Sequence, residues 1–148
     1  MRLVLDASIG AKWLIEEPDS RLAEKVLNLG EALIVPDLFA IEVAAAVTKR
    51  YRAKQITSLQ LDIALDRLDT IIFGALVVES TSRLVARSAR MSRDLHHSLY
   101  DCVYLALAES LGTPLVTADR TFVRKSVASE WSGIAIGLDE LSRLALPT

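Results

Sequence analysis

Leu3-Val4-Leu5-Asp6 opens the chain with three apolar residues and an acid, and Leu115-Val116-Thr117-Ala118-Asp119 repeats that pattern near the other end. Each reads as a short buried strand delivering a carboxylate. Similar runs, rich in Leu, Val and Ile and without polar alternation, lie at 33–35, 76–78 and 134–136. Strands that are apolar on both sides suit a parallel sheet covered on both faces. Helical spacing of apolar residues marks the segments between them, at 8–16, 20–29, 38–51, 59–73, 83–94, 99–111 and 139–144. With no low-complexity tract, repeat or linker, this alternation predicts one doubly wound α/β sandwich over residues 1–148, with right-handed crossovers. Ligands of such sheets lie beyond the carboxyl ends of the strands, where strand order reverses. Asp6 and Asp119 stand at two such ends.

Punctuation supports this reading. Asp19 and Ser20 are available as a helix cap, Gly30 and Gly112 as helix stops, and Pro36 and Pro114 mark strand boundaries. At 148 residues the chain is long enough to bury roughly 70% of its unfolded surface without staples. The one cysteine, Cys102, excludes an internal disulfide, and beside Val103 and Leu105 it reads as a small core residue of a reducing compartment. No run of about 18 apolar residues is present to span a bilayer, and the first six residues are too short and too acidic for a signal peptide. A soluble cytoplasmic protein is the expectation.

A net charge of −2, from 17 basic and 19 acidic side chains, gives no global attraction for nucleic acid. Any polyanion must meet a local patch. Arg83, Arg87, Arg90 and Arg93 place much of their charge along one side of a helix, as a phosphate contact or as an ordinary solvated face. Lys12, one turn beyond Ser8, is likewise a phosphate guide or a solvated lysine.

The four acids Asp6, Glu42, Asp101 and Asp119 all sit in apolar surroundings. An ionised carboxylate withdrawn from water costs several kcal/mol unless paired, and carboxylates brought together repel one another. A hard divalent cation such as Mg²⁺, which prefers oxygen ligands, resolves both difficulties. Each acid also has a structural reading. Asp6 and Asp119 are placed as helix N-caps, and Ser98-Leu99-Tyr100-Asp101 approximates a capping box. Glu42, whose one-turn neighbours Leu38, Phe39, Ala45 and Ala46 are apolar, reads as a core-side acid in a salt bridge or at a functional site. Ser8 is a cap or joins a metal's water shell, and Thr117 either ends its strand or orients Asp119 or a bound water. Asp62, Asp66 and Asp69 form a solvated stripe. His96 and His97 follow a helix end and read as loop residues, ligands or acid/base groups. No zinc-type Cys and His spacing, Gly-rich phosphate loop or Gly-x-Ser-x-Gly elbow is present.

Taken in order, Asp6-Ala-Ser8 with Lys12-Trp13, Pro36-Asp37-Leu38-Phe39 leading to Glu42-Val43, Tyr100-Asp101-Cys-Val-Tyr104, and Leu115-Val-Thr117-Ala-Asp119 resemble the PIN-domain ribonucleases of the VapC toxin type. The resemblance runs nearly the whole chain. It implies a three-layer α/β/α sandwich with a five-stranded parallel sheet. It also implies an acidic pocket of Asp6, Glu42, Asp101 and Asp119 near Thr117, in which Asp6, Asp101 and Asp119 hold Mg²⁺ or Mn²⁺. The implied substrate is RNA, cut to leave a 5′-phosphate and a 3′-hydroxyl, and the implied partners are a small cognate antitoxin and a second copy of the chain. The pair His96-His97 departs from the family pattern.

Two rival readings remain on sequence alone. A metal-dependent phosphatase or phosphotransfer domain also places Asp at strand ends, but a phosphatase of that kind wants a second Asp where this chain has Ser8. A non-catalytic RNA-binding domain could keep the sandwich without turnover.

Overall fold

The computed structural model of the protein describes residues 2–29 and 31–145. The helix stop expected at Gly30 lies outside them. Five strands form one parallel sheet: β1 (Arg2–Leu5), β2 (Ala32–Pro36), β3 (Leu76–Glu79), β4 (Leu115–Thr117) and β5 (Ala135–Gly137), in the order β3-β2-β1-β4-β5. The apolar runs thus fall within a residue of the strands they announced. Around the sheet lie α1 (Ala7–Leu14), α2 (Ser20–Leu27), α3 (Phe39–Arg52), α4 (Ser58–Ala75), α5 (Val85–Leu95), α6 (Leu99–Leu111), α7 (Arg120–Val127) and α8 (Leu138–Ala145). The segment read as one helix over 83–94 begins instead as a 3₁₀ turn, Ser82–Leu84, and continues as α5.

The helices divide into two groups. α1 packs on α2, α3 and α4, whereas α5 packs on α6, which lies along β1, β2 and β4. α6 is enclosed so completely that every residue from Cys102 to Ala108 is buried, as expected for a helix apolar nearly all round. One core joins strands and helices, with Tyr104, Phe39 and Phe122 its largest fully buried side chains. Cys102 lies in it, and burial pushes its thiol up to about 11, which keeps it a packing residue. Coverage thins at the sheet edge, where Val77 and Val78 of β3 are about half exposed. The expectation of strands covered on both faces therefore fails for β3 but holds better at the opposite edge, where Ala135 and Gly137 of β5 are buried.

Several caps differ from their sequence reading. Asp19 occupies the N-cap of α2 in the left-handed region (φ 69°) without a side-chain capping bond, and the Ser20 hydroxyl accepts from Glu17 N–H rather than from the helix. α4 carries a full capping box, Thr57 with Gln60. Gly112 ends α6 at φ 62°, the left-handed stop that its spacing suggested.

Two features set the position of the carboxylates. β1 lies between β2 and β4, so the chain's path reverses direction at β1 and β4, and the crevice for a ligand opens beyond their carboxyl ends. Gly10 lets α1 approach α3 closely, since a Cβ there would lie 2.6 Å from the Phe39 ring and 2.8 Å from Val43. That approach brings the start of α1, just after Asp6, toward the first turn of α3, which carries Glu42.

Candidate active site

Asp6 follows β1 directly, and its N–H still bonds the Val116 carbonyl at 3.0 Å, which fixes it against β4. It holds the N-cap position of α1, yet its side chain caps nothing. Instead Oδ2 accepts hydrogen bonds from Ser8 Oγ at 2.6 Å and Thr117 Oγ1 at 2.9 Å. These hydroxyls are in turn bonded by backbone amides, Ala118 N–H donating to Ser8 and Asp119 N–H to Thr117. A locked network thus consumes one oxygen of Asp6 and joins the ends of β1 and β4. Ser8 and Thr117 act on the carboxylate rather than as free strand-end or capping groups. Burial raises the Asp6 carboxyl above its ordinary range; the Ser8 and Thr117 bonds oppose the shift and the Asp101 charge adds to it.

Glu42 stands in the first turn of α3, where the helix N-terminus favours an anion. The expectation that it faces the core is corrected. Phe39, Val43 and Val47 form the buried stripe, while Ile41, Ala45 and Ala46 are exposed, so Glu42 flanks the core and reaches across the crevice. Its partner is no arginine but Tyr104, whose hydroxyl donates to Oε1 at 2.7 Å. Burial pushes the Glu42 carboxyl up to about 7, opposed by the Tyr104 bond and reinforced by Asp6 and Asp101.

Asp101 occupies the first turn of α6, and the capping box read there is absent, because Ser98 makes no side-chain capping bond. The carboxylate turns back to His97 instead, with Oδ2 2.7 Å from Nε2. Burial raises it, the His97 contact lowers it, and Asp119 raises it again. Asp119 does cap α7, accepting from Phe122 N–H at 3.0 Å through Oδ1. Its other oxygen remains 3.6 Å from His97 Nε2. Capping and site membership therefore coexist on one side chain.

The fold gathers all four acids into mutual electrostatic range, Asp6 with Glu42 and Asp101, and Asp101 with Asp119. Among the described residues no lysine or arginine pairs with any of them. With burial raising Asp6, Glu42 and Asp101, and the His97 ring the only basic group paired to the cluster among the described residues, the four carboxylates match the oxygen donor set of a divalent cation.

His97 is the residue that the sequence left undecided. His96 ends α5 in the left-handed region (φ 50°) and turns the chain so that the His97 ring stacks on Phe122, with centroids 4.5 Å apart and planes at 12°. Lys125 pins this turn by donating to the His96 carbonyl at 2.7 Å, and its Nζ lies 3.2 Å from His97 Nδ1. A local signal existed in the four-residue step from His97 to Asp101 across a helix start, since residues four apart stand about one helical turn from each other.

The basic residues fall differently from their helical spacing. Arg87 is committed to Glu109 through two 2.9 Å bonds and lies 5.5 Å from the Trp131 ring centre. Arg93 pairs with Asp94, and Arg83 and Arg90 are exposed. Lys12 is neither solvated nor free, being bonded to Glu17 and to the Pro18 carbonyl. On α7, which follows Asp119 directly, Arg120 and Arg124 line a cavity of about 400 Å³ together with Val123, Gly137, Asp139 and Glu140, and Arg120 Nη2 lies 4.0 Å from Asp139. No helix among the described residues is long and apolar enough to cross a membrane.

Comparison with known proteins agrees with this geometry. The family model of the PIN domain matches residues 3–128. Ribonuclease VapC3 of Pyrobaculum aerophilum is 32% identical over 125 residues, covering 84% of this chain and 95% of that protein. Among solved structures, PAE2754 from Pyrobaculum aerophilum gives a TM-score of 0.72 at 22% identity, over 99% of this chain and 91% of its own. A toxin-antitoxin complex from Klebsiella pneumoniae gives 0.58 at 16% identity, over 92% of this chain and 97% of its own. At these identities the two structures speak to the fold.

Proposed function

The chain belongs to the PIN-domain family, and from that premise we propose that it is a VapC-type endoribonuclease that hydrolyses RNA phosphodiesters with Mg²⁺ or Mn²⁺. The observation that carries the reading is the meeting of four carboxylates, of which burial raises Asp6, Glu42 and Asp101, with no lysine or arginine paired to any of them among the described residues. Asp6, Asp101 and Asp119 would hold the ion, directly or through water. The bound cation supplies a lowered pKa for water and offsets charge developing on the phosphoryl oxygens.

The chain's own groups set the geometry. Ser8 and Thr117 hold Oδ2 of Asp6, so Oδ1 is the oxygen presented to the cation. Tyr104 holds Oε1 of Glu42, so Oε2 is the atom that takes a proton from the attacking water. Burial pushes this carboxyl up to about 7 in the metal-free protein, which raises its basicity for that exchange. Arg120 and Arg124 supply positive charge for flanking phosphates, and no side-chain nucleophile is required. RNA would be cut to leave a 5′-phosphate and a 3′-hydroxyl.

The partners follow from the same reading: a small cognate antitoxin and a second copy of the chain. The named toxin-antitoxin complex from Klebsiella pneumoniae supports the first. Exposed Leu59, Ile63 and Phe73 on α4 offer apolar surface for a protein to cover.

The test is incubation of purified protein, free of antitoxin, with total RNA in Mg²⁺ or in chelator, followed by mapping of the new ends. Metal-dependent cuts with 5′-phosphates are expected. Release of inorganic phosphate from small phosphoesters, with RNA intact, would favour a phosphatase instead.

A further inference from the structure

The acids do not stand in equivalent surroundings. The side chains bonded to Asp6 and Glu42 are hydroxyls, from Ser8, Thr117 and Tyr104, whereas His97 Nε2 sits between Asp101 and Asp119, 2.7 Å from one carboxylate and 3.6 Å from the other. One donor atom from each of His97, Asp101 and Asp119 falls within 4.8 Å of the others. Adjacent ligands of an ion bound at about 2.1 Å lie about 3 Å apart, so these spacings suit a shared coordination sphere. The ring is also preset. Its side chain is 11% exposed, its plane is fixed by stacking on Phe122, and the left-handed turn at His96 aims it inward.

We propose that His97, Asp101 and Asp119 form a mixed nitrogen and oxygen position that binds a first-row transition ion, such as Mn²⁺, Co²⁺ or Zn²⁺, in preference to Mg²⁺. Imidazole is a good ligand for the transition ions and a poor one for magnesium, which keeps to oxygen and water. The inference rests on the metal-dependent reading of the site and adds a nitrogen ligand and a selectivity to it. The Lys125 ammonium can only donate, so Nδ1 now accepts and the ring hydrogen sits on Nε2, facing Asp101. Ligation moves that hydrogen from Nε2 to Nδ1 of a neutral ring. Lys125 then turns away from Nδ1 while keeping its bond to the His96 carbonyl.

The experiment titrates the full-length, metal-free protein with Co²⁺, Zn²⁺ and Mg²⁺ by calorimetry, follows the visible Co²⁺ spectrum, and repeats both for His97→Gln. Co²⁺ and Zn²⁺ affinity should fall at least ~10-fold in the variant while Mg²⁺ affinity changes less than about 2-fold, with loss of the nitrogen-ligand signature in the Co²⁺ bands. Equal losses for all three ions, or no loss, would overturn the assignment. Tighter binding of every ion would also overturn it, making the His97 N–H a competitor of the cation. Should the variant fail to fold, the unmutated protein still decides, because a Co²⁺-ligated imidazole shows its exchangeable ring N–H proton as a hyperfine-shifted signal far outside the ordinary range, lost in heavy water. Co²⁺ binding without such a signal contradicts ligation. Mg²⁺-dependent RNA cleavage by the wild type, measured alongside, separates failure of this inference from failure of the nuclease reading.

Discussion

The Tyr104 hydroxyl donates to Glu42 Oε1 at 2.7 Å across 62 residues of sequence, tying α6 to α3 at the open end of the sheet. The bond favours the charged form of Glu42, so removing it raises a carboxyl already pushed to about 7. Tyr104→Phe should move the acidic limb of the rate–pH profile to higher pH and slow cleavage at about pH 7 by ~3–10-fold, with recovery on the alkaline side. An unmoved limb would separate Tyr104 from the Glu42 proton.

Stability without metal should depend on pH in an unusual direction. Between its ordinary 4.5 and about 7, folded Glu42 keeps a proton that the unfolded chain releases, so stability falls as pH rises through that window. Asp6 and Asp101, raised from 3.8, act in the same sense from a lower starting point. Calorimetry of metal-free protein should give a higher Tm at about pH 5 than at about pH 8. Divalent cation should restore the loss, and Glu42→Gln should reduce it. A Tm that climbs over this range would contradict the crowding of desolvated carboxylates.

Much of this site was legible in the sequence because its parts are local. Asp6 and Asp119 each end a run that could only be a buried strand, and parallel topology fixes where those ends go. Glu42 was found for a partly wrong reason: its apolar neighbours Ala45 and Ala46 are exposed, and the core stripe runs through Phe39, Val43 and Val47. His97 was undecided because its place depends on a left-handed turn at His96 and a ring from α7, neither of which leaves a mark beside it. The arginine row misled for a similar reason, since helical spacing does not record that Glu109 and Trp131 wait opposite Arg87.

Gly10 is a further position that sequence alone undervalues. Ala is the better helix former by about 1 kcal/mol, yet its Cβ would overlap the Phe39 ring and Val43. Gly10→Ala should therefore lower stability by ~1–3 kcal/mol in denaturant unfolding, and metal affinity with it, as α1 moves from α3. A more stable variant would show that the two helices have room to spare.

Arg87 should prove structural rather than RNA-binding. Arg87→Ala should cost ~1 kcal/mol of stability through Glu109 and Trp131 while leaving RNA affinity and its salt dependence as they were. Arg120→Ala combined with Arg124→Ala should do the reverse, weakening RNA binding and reducing the salt slope by ~1–2. A changed salt slope in Arg87→Ala would move the RNA path to α5.

The decisive comparison is the rate of Mg²⁺-dependent RNA cleavage by purified wild type and Asp6→Asn, with folding of both checked by circular dichroism. Asparagine can still accept the Ser8 and Thr117 hydrogen bonds that hold Asp6, so the fold should survive while the rate drops by at least ~100-fold. A folded Asp6→Asn protein that cuts RNA at the wild-type rate would show that this carboxylate cluster is not where the reaction occurs.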